Sequence, residues 1–133
     1  MQIVLIIALS LHILSSVFWA GTSFTLARTG GVGGVQLFRP QMGAAVIAVL
    51  TGGYLGHLVH AGAFGTAEQI LSFGALAALA AAGVQGAIGG RAIRSLRNGM
   101  DEAGARSHIA TAQRIAAALL AVTAVCMGAA RYA

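Results

Sequence analysis

Four long apolar runs, separated by short breaks, dominate this chain; they lie at about residues 3–27, 42–63, 67–90 and 109–130. A bilayer core about 30 Å thick takes about 20 apolar residues per helix, so each run is long enough to cross. Strands are a poor alternative, because Ala-rich stretches such as 75–82 have low strand propensity and no polar alternation. Four spans consume most of the 133 residues and leave no room for a sizeable soluble domain. The expectation is a single all-α transmembrane domain over residues 1–133, an integral membrane four-helix bundle.

Composition supports this reading. Only 8% of the residues are charged, against about 25% in ordinary soluble domains. Mean hydropathy is +0.85. The net charge of +5 comes from eight Arg and no Lys against Glu68, Asp101 and Glu102, and it asks for a membrane explanation rather than a nucleic-acid partner. The first run has no basic residue ahead of it and reads as a retained span rather than a secretory signal.

Arginines fix the expected orientation. Arg28 and Arg39 fall in the first break, and Arg91, Arg94, Arg97 and Arg106 in the third, while Arg131 stands at the opposite face. With four spans, the positive-inside rule puts both termini outside and the Arg-rich loops in the cytoplasm, as in a multi-pass protein of a bacterial inner (cytoplasmic) membrane. Pro40 is placed to open the second helix, and residues 91–107 read as a polar break. Residues 101–113 are expected to form an amphipathic helix running into the fourth span, which leaves Arg114 at headgroup level. Glu68 is placed to complement the N-terminus of the third helix.

Ionisable side chains within a span are costly and point to function. His12 lies about 13–15 Å below the outer face at 1.5 Å per residue, and His57 and His60 lie near the outer end of the second run, three residues apart. Neutral imidazoles from neighbouring helices are the usual axial ligands of a b-type haem. His12 with His57 is the expected pair, with a depth mismatch of about 5–7 Å to be absorbed by tilt. His60 could serve a second haem, hydrogen-bond a quinone, or face water. His108 reads as a solvated residue opening the fourth helix.

Other features have a packing reading beside a ligand one. Gly52 and Gly56, and Gly86 and Gly90, are four apart and suit close helix approach; alternatively Gly52, Gly53 and Gly56 make room for a macrocycle beside His57. Trp19 is too deep for an interfacial belt, leaving packing or cofactor contact; Phe64 and Tyr132 read as interface anchors. Arg131 is placed to offset a haem propionate. Cys126 and Met127 are soft enough for copper but also pack well. A lone Cys excludes an intrachain disulfide framework, and the chain has no Walker loop, paired carboxylates or Ser/His/Asp set, which disfavours a hydrolase.

The string Leu11, His12, Ile13, Leu14, Ser15, Ser16, Val17, Phe18, Trp19, Ala20, Gly21 resembles the His...Trp-x-Gly opening of the CopD-like and HemJ-like small membrane proteins. Arg39 followed by Thr51 and Gly52, and the ending Met127 to Tyr132, are similar to further patterns of that group. The resemblance implies a four-helix membrane bundle with His12 as a haem or metal contact. HemJ-type protoporphyrinogen oxidases also carry a Lys at the start of the third span, where this chain has Glu68 and Gln69. No Met-rich segment accompanies the copper reading.

The sequence therefore leads to a membrane b-type cytochrome with a bis-histidine haem near the outer half, transferring electrons alone or within a larger membrane complex or homo-oligomer, with quinone as a candidate partner. Protoporphyrinogen oxidation, copper handling and a cofactor-free scaffold subunit are the alternatives.

Overall fold

A computed structural model describes residues 1–59, 62, 65–99 and 101–133. Every regular element among them is a helix: α1 (Gln2–Arg28), α2 (Gly34–Val59), α3 (Thr66–Val84), a π-helical segment (Gln85–Gly89), α4 (Gly90–Arg97) and α5 (Glu102–Ala130). The π segment joins α3 and α4 into one 32-residue rod, Thr66–Arg97. This rod, α1 and α5 are the three described helices long and apolar enough to cross a membrane. The expected second span runs beyond Val59 into residues outside the described set, and α2 is not among the three.

Three sequence boundaries need correction. Pro40 lies inside α2 rather than at its start, because helix already begins at Gly34. Its ring removes a backbone donor, which falls at the helix's second turn. The polar break is also much shorter than residues 91–107, since the rod continues to Arg97 and α5 starts at Glu102. Asp101 caps α5 by accepting from the backbone N–H groups of Ala103 and Gly104, both at 3.2 Å. The expected amphipathic helix is therefore the first part of α5 and continuous with the apolar run. Third, His108 sits two turns inside α5 rather than opening it.

Successive rods run antiparallel. His12 of α1 meets Ala48 of α2, while Thr22 and Ser23 meet Gln41, and Gly74 of α3 meets Thr123 of α5, while Gln85 meets Gln113. One end of the molecule thereby gathers Arg28, Arg39, Arg91, Arg94, Arg97 and Arg106, and is called the arginine end below. The turn from α1 to α2 at this end requires Gly31, whose φ is +86° and where a Cβ would lie 2.8 Å from the Arg106 carbonyl oxygen.

Large apolar side chains face outward: Ile3, Leu14, Val17, Leu50, Phe73 and Leu76 are all exposed. The interior is instead made of small residues, with Ala44, Ala45, Ala48, Ala81 and Ala116 around Trp19 and Leu120. A soluble domain does not expose so much continuous apolar surface, whereas lipid solvates it. Helices in lipid gain little from hiding apolar side chains from one another, so close backbone contact through small residues does the packing. At Gly74 the approach of α5 is so close that a Cβ there would lie 2.9 Å from Cys126 Cβ. Thr123 Oγ1 donates to the Gly74 carbonyl across the same contact, at 2.9 Å.

Candidate functional site

The inward stripe of α1 carries Ala8, Ser15, Trp19, Ser23 and Leu26, all buried, with spacings of three, four and seven residues. His12 falls on this stripe, four residues after Ala8 and three before Ser15. Its Nδ1 lies 2.9 Å from the Ala48 carbonyl oxygen and 3.1 Å from Thr51 Oγ1, both on α2. A carbonyl only accepts, so Nδ1 carries the hydrogen, and in the tautomer with that hydrogen alone Nε2 is the lone-pair nitrogen. Thr51 hydroxyl donates to the Ile47 carbonyl at 2.6 Å, which leaves its oxygen to accept from His12. Gly52 makes room for the ring, since a Cβ there would lie 2.9 Å from His12 Cε1. Anchoring one imidazole nitrogen on a carbonyl is how proteins orient a ligating histidine through the other.

His57 does not join it. It stands nine residues after Ala48, and at about 100° per residue this is half a revolution beyond whole turns, on the opposite side of α2. Its side chain is accordingly exposed. The sequence expectation of a His12–His57 pair rested on depth alone and took no account of rotation about α2. The fit to a haem is therefore partial: His12 has a nitrogen that could hold the iron, whereas the same chain's His57 is exposed on the other side of α2. His60 and Phe64 lie outside the described residues. Among the described residues no group of three or more His, Cys, Asp or Glu is arranged to hold a metal ion.

Below His12, toward the arginine end, lies a cluster that the sequence reading missed. Gln41, Gln85 and Gln113 are each almost fully buried, together with Ser23 and Trp19. Trp19 Nε1 donates to Gln85 Oε1 at 2.6 Å. Because an indole N–H can only donate, it fixes the orientation of the Gln85 amide. Gln85 Nε2 then donates to Ser23 Oγ at 2.7 Å and to Gln113 Oε1 at 3.0 Å. Gln113 and Gln41 complete a reciprocal amide pair, at 2.9 and 3.1 Å. Gln41 Nε2 also reaches Thr22 and Ser23 of α1. One side chain or more from α1, α2, the π segment and α5 thus meets in a single network, and no buried side-chain polar atom among the described residues lacks a partner.

The π segment explains how Gln85 gets there. A π turn inserts an extra residue and widens the helix locally. Gln85 is its first residue and Gly89 its last, both buried. On the flank, Gly89 and Gly90 lie under the Phe38 ring of α2, and Gly86 lies near Met42. The Gly86/Gly90 spacing is therefore used for helix packing. Gly53 and Gly56 have open space where a Cβ would sit, and neither touches His12.

The remaining candidates separate. Trp19 is held by packing and by Gln85. Cys126 packs toward Gly74 whereas Met127 is exposed, so adjacent residues on α5 face different ways. Arg131 is exposed beyond the end of α5, and His108 is exposed near its start. Arg114 faces outward beside the inward Gln113. Glu68 stands in the first turn of α3 as expected, and its carboxylate also accepts from the Gly65 N–H at 2.7 Å. Trp19, Gln85 and Gln113 within apolar runs, and Gln41 at the edge of one, were the available signal for the buried cluster, overlooked because neutral amides carry no charge. No protein-family model matches this chain, and no curated protein and no solved structure matches it significantly.

Proposed function

We propose that this chain is a multi-pass membrane haem protein of b type, working in electron transfer, in which His12 is the residue of this chain that would hold the haem iron. The observation that carries the reading is the anchored imidazole: Nδ1 is bound to the Ala48 carbonyl and Nε2 is left for a ligand, within an apolar helix. A bound haem b would supply reversible one-electron chemistry; the protein would orient His12 through Ala48 and Thr51 and hold the surrounding helices rigid. His57, exposed on the other side of α2, is not among the residues that would hold the haem. Four spans, with the arginine end in the cytoplasm and both termini outside, belong to the same proposal and rest on the positive-inside rule. So do a bacterial inner membrane, a quinone or larger membrane complex as electron partner, and the likeness to CopD-like and HemJ-like proteins.

A second reading is a scaffold subunit without cofactor, favoured by the outward position of His57 and by an interior network that satisfies itself. A dithionite-reduced minus oxidised spectrum, with a pyridine haemochrome count, separates the two. Protein expressed with haem available should show sharp reduced bands that are lost in His12→Ala and kept in His57→Ala. A colourless wild type would remove the haem reading and leave scaffolding, or copper handling if metal analysis finds copper. Loss of the bands in both variants would put His57 back as a ligand.

A further inference from the structure

At the arginine end, a cleft of about 390 Å³ opens between the start of α2 and the end of the α3–α4 rod. Gln36, Arg39, Arg94 and Arg97 line it together with Phe38 and Ile93. Ile93 is buried, and Phe38 lies against Gly89 and Gly90, so the cleft has an apolar wall backed by the helix contact. Arg94 and Arg97 are three residues apart in the last turn of α4, and Arg39 faces them from the second turn of α2.

No carboxylate neutralises this trio among the described residues. Glu102 is engaged by Arg106 at 3.0 Å, Asp101 caps α5, and Glu68 lies at the far end of the rod. Three like charges around one cleft repel one another and favour an anion between them. Guanidinium groups match phosphate oxygens through paired N–H donors. We propose that this cleft binds the phosphate of an anionic phospholipid, with the headgroup held by Arg39, Arg94 and Arg97 and the glycerol and upper acyl chain lying on Phe38 and Ile93. A lipid fits better than free phosphate because the charged rim sits at the end of membrane-length apolar rods and the wall beneath it is apolar. The proposal rests on the membrane reading of the fold and is independent of haem.

Native mass spectrometry of the full chain in mild detergent tests it, with dioleoyl phosphatidylglycerol compared with dioleoyl phosphatidylcholine. Wild type should retain one phosphatidylglycerol with a preference of about a hundredfold, the factor that three arginines at about 1 kcal/mol each near the headgroup give. Arg39→Gln/Arg94→Gln/Arg97→Gln should abolish the preference. Arg28→Gln/Arg114→Gln/Arg131→Gln removes the same charge away from the cleft and should keep it. If the first triple variant does not reach wild-type helicity, Arg94→Gln alone should still weaken retention several-fold. Equal retention of the two lipids, an undiminished preference in the cleft variants, or equal losses in both triples would overturn the proposal. Displacement of phosphatidylglycerol by millimolar inorganic phosphate would also overturn it, by making the site one for free phosphate.

Discussion

Toward the arginine end, the polar groups inside the helices are amides locked to one another, whereas the polar group farther along the same stripe of α1 is an imidazole with only one nitrogen engaged. Both regions bury hydrogen-bonding atoms among apolar helices, yet they differ in what is left over. Gln41, Gln85 and Gln113 use each other, Ser23 and Trp19, and cannot titrate near neutral pH. His12 keeps Nε2 unengaged, a nitrogen through which an imidazole can bind a metal. Rigidity is expected where the network closes, and chemistry where it stays open.

Substitutions can break this contrast. The largest effect is expected for Gln85→Leu, which removes the acceptor of the Trp19 N–H and a donor to Ser23 and Gln113. Leaving such groups buried and unpaired should cost about 2–4 kcal/mol, read as a lower unfolding midpoint in mixed detergent micelles. Gly74→Val should follow, at about 1–3 kcal/mol, since its Cβ would meet Cys126 Cβ at 2.9 Å. Cys126→Gly should relieve that clash where Cys126→Ala does not, because the contact is with Cβ itself.

His12→Leu should be milder in the absence of haem, about 1 kcal/mol, the usual scale of one interhelical hydrogen bond in a membrane. If it destabilises as much as Gln85→Leu, the contrast between a structural and a functional region fails. The Gln41→Leu/Gln113→Leu double variant sharpens it: the two substitutions should together cost less than their sum, with a coupling of about 0.5–1.5 kcal/mol in a double-mutant cycle. Smallest of all is Arg106→Gln, which breaks an exposed pair with Glu102 and should shift stability by no more than about 0.5 kcal/mol.

Helical class and the apolar rods were legible because a long apolar run leaves the backbone few ways to satisfy itself. The place of Glu68 at a helix N-terminus was also legible, and the structure adds the hydrogen bond its carboxylate accepts from the backbone N–H three residues earlier. Boundaries were less so. Residues 91–97 look polar as a string, but with Ala92 and Ile93 buried and Arg91, Arg94 and Arg97 exposed they form one amphipathic end of the rod. Pro40 misled because a proline that can open a helix can also sit in its second turn. For the candidate site, His12 could be found from its depth, but its alignment to Ala48 and the outward turn of His57 depend on rotation and helix contact, which spacing along one strand of sequence does not determine. The glutamine network needed partners up to 72 residues apart to meet, and only tertiary packing brings them together.

The π segment also bears on which changes of length the chain can absorb. Elsewhere in a helix, deleting one residue rotates everything after it by about 100° and turns a packed face outward. Within Gln85–Gly89 the surplus residue is already accommodated as a bulge, so a deletion there would convert it to an ordinary α turn and leave α3 and α4 in their present phase. Such a shortened chain would keep Gly74 on Thr123 and the Arg94/Arg97 pair facing Arg39, and would give up the aim of Gln85 at Trp19. A one-residue deletion at this place in the rod would alter the interior while leaving both ends in phase.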